Sequence, residues 1–431
     1  MSAATPAKKA VAAIKGTNDI LPGEVELWQK VEAVAKRLFE LYGYRELRAP
    51  VFEATELFER GTGDTTDIVI KEMYTFTDKG GRSITLLPEY TPSVSRAIIE
   101  HRLDLKPDPL RFYFIGPMFR YDKPQKGRFR QFHQIDIEVF NEKDPAIDAE
   151  IIEMADALLK NLGVEGTETL VNSVGCRACR PAYSQDLRAH AEKVRERLCP
   201  DCQRKISTNP MRIFDCKVEG CREQAKKFPR ITDYLCRECR EHFTKVCAHL
   251  ESYKVPYRIE PNLVRGLDYY TKTTFEVVRA RLGAQNSLLG GGRYDDMMKE
   301  FGGPDICAIG FAMGVERLIS VLKIQPEKKK FLYVAYMGEE GKRKGIELAR
   351  FFRKKGVECL IEFDAKSLKN QFGRANKLAA AWVCVVGEDE IRKGLFQLKD
   401  MAAGTQTEGT PGELVRIIKN KYSSEGKTRD C

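Results

Sequence analysis

The chemistry of this chain concentrates in a basic hairpin that is interleaved with aromatic residues. Residues 111–119 and 132–139 are predicted strands, and the segment between them is dense in cations: Arg120, Lys123, Lys126, Arg128 and Arg130. Guanidinium groups that paired strands hold rigidly suit phosphate oxygens. Aromatic rings beside them can stack on a base, so the hairpin indicates a nucleotide site, although a solvated basic surface has the same composition.

The second strand of the hairpin also carries a polar face. Strand alternation places Gln134, Asp136 and Glu138 on one side of it. Such a face can simply point to solvent. If it is instead the floor of a pocket, a carboxylate there would bind a cationic or hydrogen-bond-donating group of a substrate.

Three glycine-containing segments later in the chain are further candidates for such a pocket. Residues 263–271 gather charged and aromatic side chains around one glycine: Arg265, Asp268, Tyr269 and Tyr270. The glycines at 290–292 predict a flexible loop that permits close backbone approach. Residues 310–317 predict a strand that enters a helix through a glycine turn, with Arg317 in the first helical turn. Each segment alone is a weak signal, because such glycines usually form only turns.

Eight of the thirteen cysteines lie in one segment, residues 176–239. They form three close pairs and a looser fourth: Cys176 and Cys179, Cys199 and Cys202, Cys236 and Cys239, and Cys216 with Cys221. Four thiolates make a closed tetrahedral zinc site, and eight make two. A set of reduced, buried cysteines without metal is the alternative. The hypothesis is that zinc stabilises an insertion that is too small to fold alone.

The charge of the chain indicates a polyanionic partner. The 431 residues carry a net charge of +10, and residues 177–245 contain 17 Lys or Arg against 10 Asp or Glu. A solvated basic surface is again the alternative. The composition is that of a globular protein of two or three domains. No stretch is apolar enough to span a membrane, and residues 1–15 predict a short disordered extension without a signal-peptide core.

The order of the predicted elements indicates an α+β protein. A helix over residues 27–39 precedes strands that are joined by turns, which predicts an antiparallel sheet: 44–52, 73–76, 83–87, 111–119 and 132–139. The basic insertion, residues 176–260, interrupts this part of the chain. From residue 331 onward, apolar strands alternate with amphipathic helices, which predicts a separate α/β domain.

Taken together, these segments resemble histidyl-tRNA synthetase of the bacterial type, a class II aminoacyl-tRNA synthetase. The likeness runs in order from Gly16 to about Tyr422. Pro50 matches the first motif of class II enzymes, residues 119–138 match the second, and residues 310–317 match the third. Residues 263–270 resemble a segment that is peculiar to histidine enzymes.

The resemblance implies a domain organisation. A class II catalytic domain with a six- or seven-stranded antiparallel sheet would cover residues 16–175 and 261–324. The cysteine-rich basic insertion would interrupt it at 176–260, and an α/β anticodon-binding domain would cover 331–431.

The resemblance also implies a role for each site residue. Arg120 and Arg265 would hold the α-phosphate of ATP from two sides as the catalytic residues, and Arg317 would bind the γ-phosphate. Magnesium would accompany the ATP. Histidine would be bound by Glu89, Thr91, Arg120, Gln134, Glu138, Arg265, Tyr269 and Tyr270. Within this set, Glu89 and Thr91 would take the ammonium group, and Glu138 and Tyr270 would bond the two imidazole nitrogens.

The tRNA is the macromolecular partner that the resemblance implies. Its acceptor end would contact Gln125, Arg128 and Arg130. The insertion and the C-terminal domain would bind the acceptor stem and the anticodon. A homodimer and a cytoplasmic location are implied as well. The chain departs from the family's usual Arg-Pro-Glu-Gly-Thr at residues 87–91, where it has Leu87 and Tyr90. The packing beside the ammonium site is therefore expected to differ.

Two other classes of protein share part of this pattern. A catalytically silent relative, such as the regulatory subunit of ATP phosphoribosyltransferase, would bind histidine, but such relatives lack the appended domains and lose motif arginines. A zinc-ribbon protein that binds nucleic acid would explain the cysteines and the charge but leave the arginine motifs unused. Arg120, Arg265 and Arg317 are all present, which favours the enzyme.

Overall fold

The computed structural model describes residues 11–63, 66, 68–122, 127–279, 286–323, 330–364 and 367–426. Most of the predicted N-terminal extension, residues 1–10, therefore lies outside the described residues. The chain divides into two compact units, Met1–Pro326 and Glu327–Cys431. Within the described residues, no helix combines the length and the apolarity that crossing a membrane requires.

The first unit contains a large sheet, a small sheet and their helices. Its strands are β1 Arg45–Glu46, β2 Phe52–Ala54, β3 Thr75–Thr77, β4 Ser83–Leu86, β5 Arg111–Phe119, β6 Gln131–Phe140, β7 Thr167–Ser173, β8 Arg258–Ile259, β9 Thr271–Arg279, β10 Ser287–Arg293 and β11 Ala308–Gly314. Its helices are α1 Val25–Leu41, α2 Thr55–Thr62, α3 Thr91–Glu100, α4 Pro145–Asn161, α5 Arg180–Lys193, α6 Pro200–Thr208, α7 Glu219–Ala225, α8 Arg237–Ser252, α9 Met297–Glu300 and α10 Val315–Ile319.

The large sheet has the strand order β1-β5-β6-β11-β10-β9-β7-β8. Its six central strands pair antiparallel, as the sequence predicts. The sheet has eight strands rather than six or seven, because the two-residue strands β1 and β8 extend its edges in parallel pairs. The fold is thus α+β, with a mixed sheet whose antiparallel centre carries the hairpin β5–β6.

Side-chain alternation along β6 divides the large sheet into an apolar face and a polar face. Ile135, Ile137 and Val139 are fully buried in the main hydrophobic core, together with residues of helices α1, α4 and α10. The residues between them face the opposite side of the sheet. On the apolar face, helix α4 begins after Asp144, whose carboxylate accepts a hydrogen bond from the Ala146 amide at 2.9 Å. The helices thus cover one face and leave the other for a site.

The segment around Pro50 differs from its prediction as a single strand over residues 44–52. The structure has two short strands instead: β1 joins the large sheet, and β2 joins a three-stranded sheet of order β2-β4-β3. Pro50 lies between them in neither strand. Proline cannot donate a ladder hydrogen bond, which explains why strand pairing stops there and resumes in another sheet.

The three glycines at residues 290–292 also differ from their prediction as a flexible loop. They lie in the middle of β10, which pairs with β9 on one side and β11 on the other. The expected close approach is nevertheless present, because a Cβ at Gly291 would overlap the carbonyl oxygen of Gly310. Glycine is required here by the spacing of the sheet and not by flexibility.

The cysteine-rich insertion forms a small helical module with its own core. Helices α5, α6, α7 and the start of α8 surround this core, together with three short 3₁₀ helices at Arg195–Arg197, Pro210–Asp215 and Ile231–Tyr234. The core includes Tyr183, Leu187, Ile206 and Ile213 beside buried cysteines. A core of this size is marginal by itself, which makes a cross-link useful.

The second unit is a separate α/β unit with a sheet of order β13-β12-β14-β15-β16. Its elements are β12 Leu332–Tyr336, α11 Gly338–Lys354, β13 Cys359–Ile361, α12 Leu368–Lys377, β14 Trp382–Val386, α13 Glu388–Lys393, β15 Phe396–Asp400, β16 Gln406–Gly409 and α14 Pro411–Gly426. The predicted strand–helix alternation is present. The hairpin β15–β16 was not predicted, because β16 has no apolar side chain and β15 has only two, Phe396 and Leu398.

Candidate active site

One cavity of about 340 Å³ lies on the polar face of β6. Its lining includes every described residue that the sequence predicts for binding histidine or ATP: Glu89, Thr91, Arg120, Gln134, Glu138, Arg265, Tyr269, Tyr270 and Arg317. These residues come from five separate segments of the chain. The volume lies within the range of small-molecule sites, which is about 300–1,000 Å³.

Glycines on neighbouring strands make room for the charged groups of this cavity. A Cβ at Gly310, on β11, would overlap the Glu138 carboxylate. A Cβ at Gly290, on β10, would overlap the Arg265 guanidinium. Gly290 and Gly310 therefore leave the space in which two long polar side chains lie against the sheet.

Glu138 is a buried carboxylate with two hydroxyl donors. Thr91 donates to its Oε1 at 2.6 Å, and Tyr294 donates to its Oε2. Burial raises the pKa of Glu138 to about 8, although both hydrogen bonds oppose that rise. A cationic or N–H-donating ligand would favour the charged form of this group.

Glu89 is the second buried carboxylate, and its contacts resemble those of Glu138. Thr62, at the end of α2, donates to Oε1, and Tyr269 donates to Oε2 at 3.0 Å. Burial raises the pKa of Glu89, while these hydrogen bonds and the charge of Arg120 lower it. Two tyrosine–glutamate pairs thus stand side by side, with the Tyr269 and Tyr294 rings 5.6 Å apart.

Three buried polar atoms that line the cavity have no partner within the part of the chain that the structure describes. They are Gln134 Oε1, Asp136 Oδ2 and Arg265 Nε. Burial and the charge of Glu138 raise the pKa of Asp136 well above its usual range. Buried polar groups are nearly always hydrogen-bonded, so unpaired ones that face a cavity indicate a polar ligand.

Three guanidinium groups reach the same cavity from distant parts of the chain. Arg120 donates to the Pro88 carbonyl at 2.8 Å and lies over the Phe132 ring. Arg265 donates to the carboxylate of Glu276 at 2.8 Å.

Arg317 completes this group of arginines. It donates to the carbonyl oxygens of Gly127 and Ser287, at 3.4 and 3.2 Å. Burial lowers the pKa of Arg317, and the charges of Arg128, Arg120 and Arg265 lower it further. Such mutual repulsion is relieved by a polyanion, and a triphosphate has the matching charge.

The predicted contacts to the tRNA acceptor end are only partly described. Arg128 lines the cavity and donates to Asp122 at 2.6 Å. Arg130 is not among the lining residues, and its guanidinium lies 4.2 Å from the centre of the Tyr121 ring. Gln125 lies outside the described residues. Of the two described residues, Arg128 lines the cavity and Arg130 does not.

The departures at residues 87–91 change the packing and leave the carboxylate in place. Leu87 is fully buried, and the Tyr90 ring stacks on Phe114 with centroids 4.1 Å apart. The Tyr90 hydroxyl donates to the carbonyl of Leu47 at 2.6 Å. Both side chains thus belong to an apolar core, and Glu89 between them still lines the cavity.

The eight insertion cysteines form two groups of four. Cys176, Cys179, Cys236 and Cys239 form one group, and Cys199, Cys202, Cys216 and Cys221 form the other. In each group the sulfur atoms lie within 4.8 Å of one another. Either group could hold a metal ion.

Several site residues were not predicted. Tyr294 and Thr62 hold the two glutamates, Glu276 holds Arg265, and Asp136 was assigned only to a face. Tyr294 directly follows the glycine-rich strand β10. A correct prediction of that strand would have placed Tyr294 on the same face of the sheet as Gly290.

Comparisons with known proteins agree with the family predicted from the sequence. A family model described as histidyl-tRNA synthetase matches residues 16–318, and one described as anticodon binding domain matches residues 332–421. The chain is 45% identical to the histidine–tRNA ligase of Desulfitobacterium hafniense over 417 residues, which cover 96% of this chain and 98% of the relative.

Further relatives give the same result. The chain is 46% identical to the histidine–tRNA ligase of Halothermothrix orenii over 414 residues, 95% of this chain and 99% of that one. The crystal structure of apo S. aureus histidyl-tRNA synthetase superimposes with a TM-score of 0.80 at 34% identity, covering 95% of this chain and 99% of that chain. The chain therefore belongs to the histidyl-tRNA synthetase family.

Proposed function

We propose that the chain ligates histidine to tRNA in two steps. Histidine and ATP, bound as its magnesium complex, first give histidyl-adenylate and pyrophosphate. The histidyl group then passes to the terminal adenosine of the tRNA. The observation that carries the proposal is that Arg120, Arg265 and Arg317 line the same cavity as the buried carboxylate of Glu138.

The arginines would act on the triphosphate. A histidine carboxylate oxygen attacks the α-phosphorus, and the bond to the leaving pyrophosphate breaks in line with it. Arg120 and Arg265 would neutralise charge on the α-phosphate from opposite sides, and Arg317 would hold the γ-phosphate. Guanidinium groups that are already positioned favour the transition state, because they need no reorganisation as charge develops.

The two glutamates would distinguish the two ends of histidine. Glu89, which Thr62 and Tyr269 hold, would bind the ammonium group together with Thr91. Glu138 and Tyr270 would bond the two imidazole nitrogens and fix the tautomer of the ring. Gln134 would approach the carboxylate of the substrate. The unpaired oxygens of Gln134 and Asp136 support this polar surrounding.

The partner surfaces follow from the same proposal. Gln125, Arg128 and Arg130 would meet the acceptor end of the tRNA, and residues 331–431 would bind its anticodon, which the matching anticodon-binding model supports. We assign residues 16–175 and 261–324 to the catalytic domain and place the protein in the cytoplasm, where tRNA is charged.

A homodimer is also part of the proposal. Exposed apolar side chains at the small sheet, Val51, Phe52 and Phe76, favour a covered interface there. Light scattering should then give a particle of twice the 49.0 kDa chain mass. A monomer at micromolar concentration would contradict this part of the proposal.

The deciding experiment is the exchange of labelled pyrophosphate into ATP. We expect exchange that requires histidine and that falls at least about a hundredfold in Arg265→Gln. Arg204→Gln, an exposed arginine of the insertion, is the matched control and should retain full exchange. A folded, metal-loaded chain that binds histidine without exchange would favour the regulatory class of relative.

A further inference from the structure

The sulfur atoms of the insertion have the spacing of two four-thiolate zinc sites. We call the group of Cys176, Cys179, Cys236 and Cys239 the first cage, and the group of Cys199, Cys202, Cys216 and Cys221 the second cage. Sulfur–sulfur distances are 3.6 and 4.0 Å in the first cage and 3.8 Å in the second. Tetrahedral zinc, with Zn–S bonds of about 2.3 Å, requires sulfur–sulfur edges of about 3.8 Å. A disulfide requires about 2.0 Å, and all these cysteines are free.

Backbone amides also donate a hydrogen bond to one sulfur atom of each cage. In the first cage the Cys236 amide donates to Cys179 Sγ at 3.2 Å. In the second cage the Cys199 amide donates to Cys221 Sγ at 3.1 Å. Hydrogen bonds of this kind orient the ligand atoms of metal sites.

The second cage adjoins the wall of the histidine cavity. The 3₁₀ helix Pro210–Asp215 runs directly into Cys216. From this helix, Arg212 donates to Asp268 at 2.9 Å and to the Gly266 carbonyl at 2.7 Å. Arg212 also lines the cavity. The second cage thus fixes the 3₁₀ helix whose Arg212 holds residues 263–270. This segment carries Arg265, Tyr269 and Tyr270.

The first cage holds the same segment at its other end. Arg180 follows Cys179 directly and donates to the Tyr270 carbonyl. It also donates to the Val174 carbonyl at 3.2 Å. Residues 263–270 contain no helix or strand of their own, so their position depends on such contacts.

We propose that the insertion binds one zinc ion in each cage, and that these ions position residues 263–270 for histidine activation. Arg212 is a positioning residue in this proposal, because it acts through Asp268 and the Gly266 carbonyl. The second part of the proposal rests on the proposed function. Loss of zinc from the second cage should then impair the first reaction step, in which tRNA takes no part.

Metal analysis of the full chain tests the two sites. We expect two zinc ions per chain after purification without chelator, and one fewer in the double variant Cys199→Ser, Cys216→Ser. Cys247→Ser, which removes a cysteine of α8 that belongs to neither cage, should keep both ions. A zinc content of one or none in the unmodified chain would overturn the two-site assignment.

Pyrophosphate exchange without tRNA tests the positioning role. We expect the double cysteine variant to exchange about 10- to 100-fold more slowly, the range for partners that orient a site from outside it. If circular dichroism shows that this variant is unfolded, the Arg212→Gln variant tests the positioning role instead, because it leaves the cages intact.

Arg212→Gln should keep two zinc ions and raise the KM for histidine about tenfold, with little change in the KM for ATP. Arg212→Lys should restore part of this loss, and Arg204→Gln should be neutral. Unchanged histidine kinetics in Arg212→Gln would overturn the positioning role. An unmodified, zinc-loaded chain without any exchange would instead reject the proposed function and leave the zinc count to stand.

Discussion

Tyr294 donates its hydroxyl hydrogen to Oε2 of Glu138, although 156 residues separate them in the chain. Both side chains are buried in the cavity wall. The other oxygen of Glu138, Oε1, accepts a hydrogen bond from the Thr91 hydroxyl at 2.6 Å. Because one oxygen is held by the protein and the other by a threonine beside the cavity, the carboxylate has a defined orientation toward a ligand.

Replacing Tyr294 by phenylalanine should therefore weaken histidine binding. A lost hydrogen bond to a buried group that is charged when histidine is bound costs about 1.5–3 kcal/mol, which corresponds to a rise of roughly 10- to 100-fold in the KM for histidine. The KM for ATP should change little. Tyr257→Phe removes a tyrosine–glutamate bond of 3.1 Å outside the cavity and is the matched control. Equal effects of the two variants on the KM for histidine would contradict the assignment of Glu138 to the substrate.

The stability of the ligand-free protein should fall as the pH rises from about 4.5 to about 8. Burial raises the pKa of Glu138 to about 8, so the folded state holds a proton in this window that the unfolded state has released. Unfolding then becomes more favourable with rising pH, by at most roughly 1.4 kcal/mol per pH unit for one proton.

Thermal unfolding at pH 6 and pH 8.5 measures this dependence. Glu138→Gln should flatten the slope, and a residual slope should remain because burial also raises the pKa of Glu89 and Asp136. Glu142→Gln, in an exposed position after β6, serves as control. Identical slopes in Glu138→Gln and the unmodified chain would mean that Glu138 is charged in the empty cavity.

Local patterns were enough to predict that one polar strand face carries Gln134, Asp136 and Glu138, and only the structure shows that this face is the cavity floor. Gln134, Asp136 and Glu138 alternate with fully buried aliphatic residues, so one strand reveals both its core face and its site face. The arginines were predicted because their motifs keep a fixed order along the chain. The signal lies within a few residues of the functional group in the first case, and it comes from the resemblance along the whole chain in the second.

Contacts between distant segments could not be predicted from local patterns. The glycines of β10 carry no side chains, so only their pairing with β9 and β11 shows that they form a strand. The bonds from Arg212 to Asp268 and from Tyr294 to Glu138 join residues that nothing in the local sequence connects. Such pairs are set by tertiary packing, which also decides which cysteines share a cage.

Gly290→Ala should lower activity without unfolding the protein. The added Cβ would overlap the end of the Arg265 side chain, which can swing away because it is long and flexible. Displacing this guanidinium would remove the charge stabilisation that we propose for it at the α-phosphate, so exchange should fall about a hundredfold or more. The unfolding temperature should change little.

Gly291→Ala provides the contrast on the neighbouring residue. Its Cβ would overlap backbone atoms of Gly310 and Phe311, which cannot move without separating β10 from β11. This variant should lose several degrees of unfolding temperature, whereas Gly290→Ala should not. The opposite order would mean that Gly290 has only a packing role.

The enzyme should need no editing step, because the proposed pocket would bond both nitrogens of the imidazole ring. Phenylalanine has a ring without nitrogens, and glutamine has polar atoms without a ring, so neither would bond both Glu138 and Tyr270 in the same way. Sites of this kind reject such analogues by about 10⁴–10⁵. Pyrophosphate exchange with phenylalanine or glutamine should therefore be at least about 10⁴-fold less efficient than with histidine. The full chain should also hydrolyse mischarged tRNA no faster than buffer does, and measurable deacylation would show that the insertion, or another part of the chain, carries an editing site.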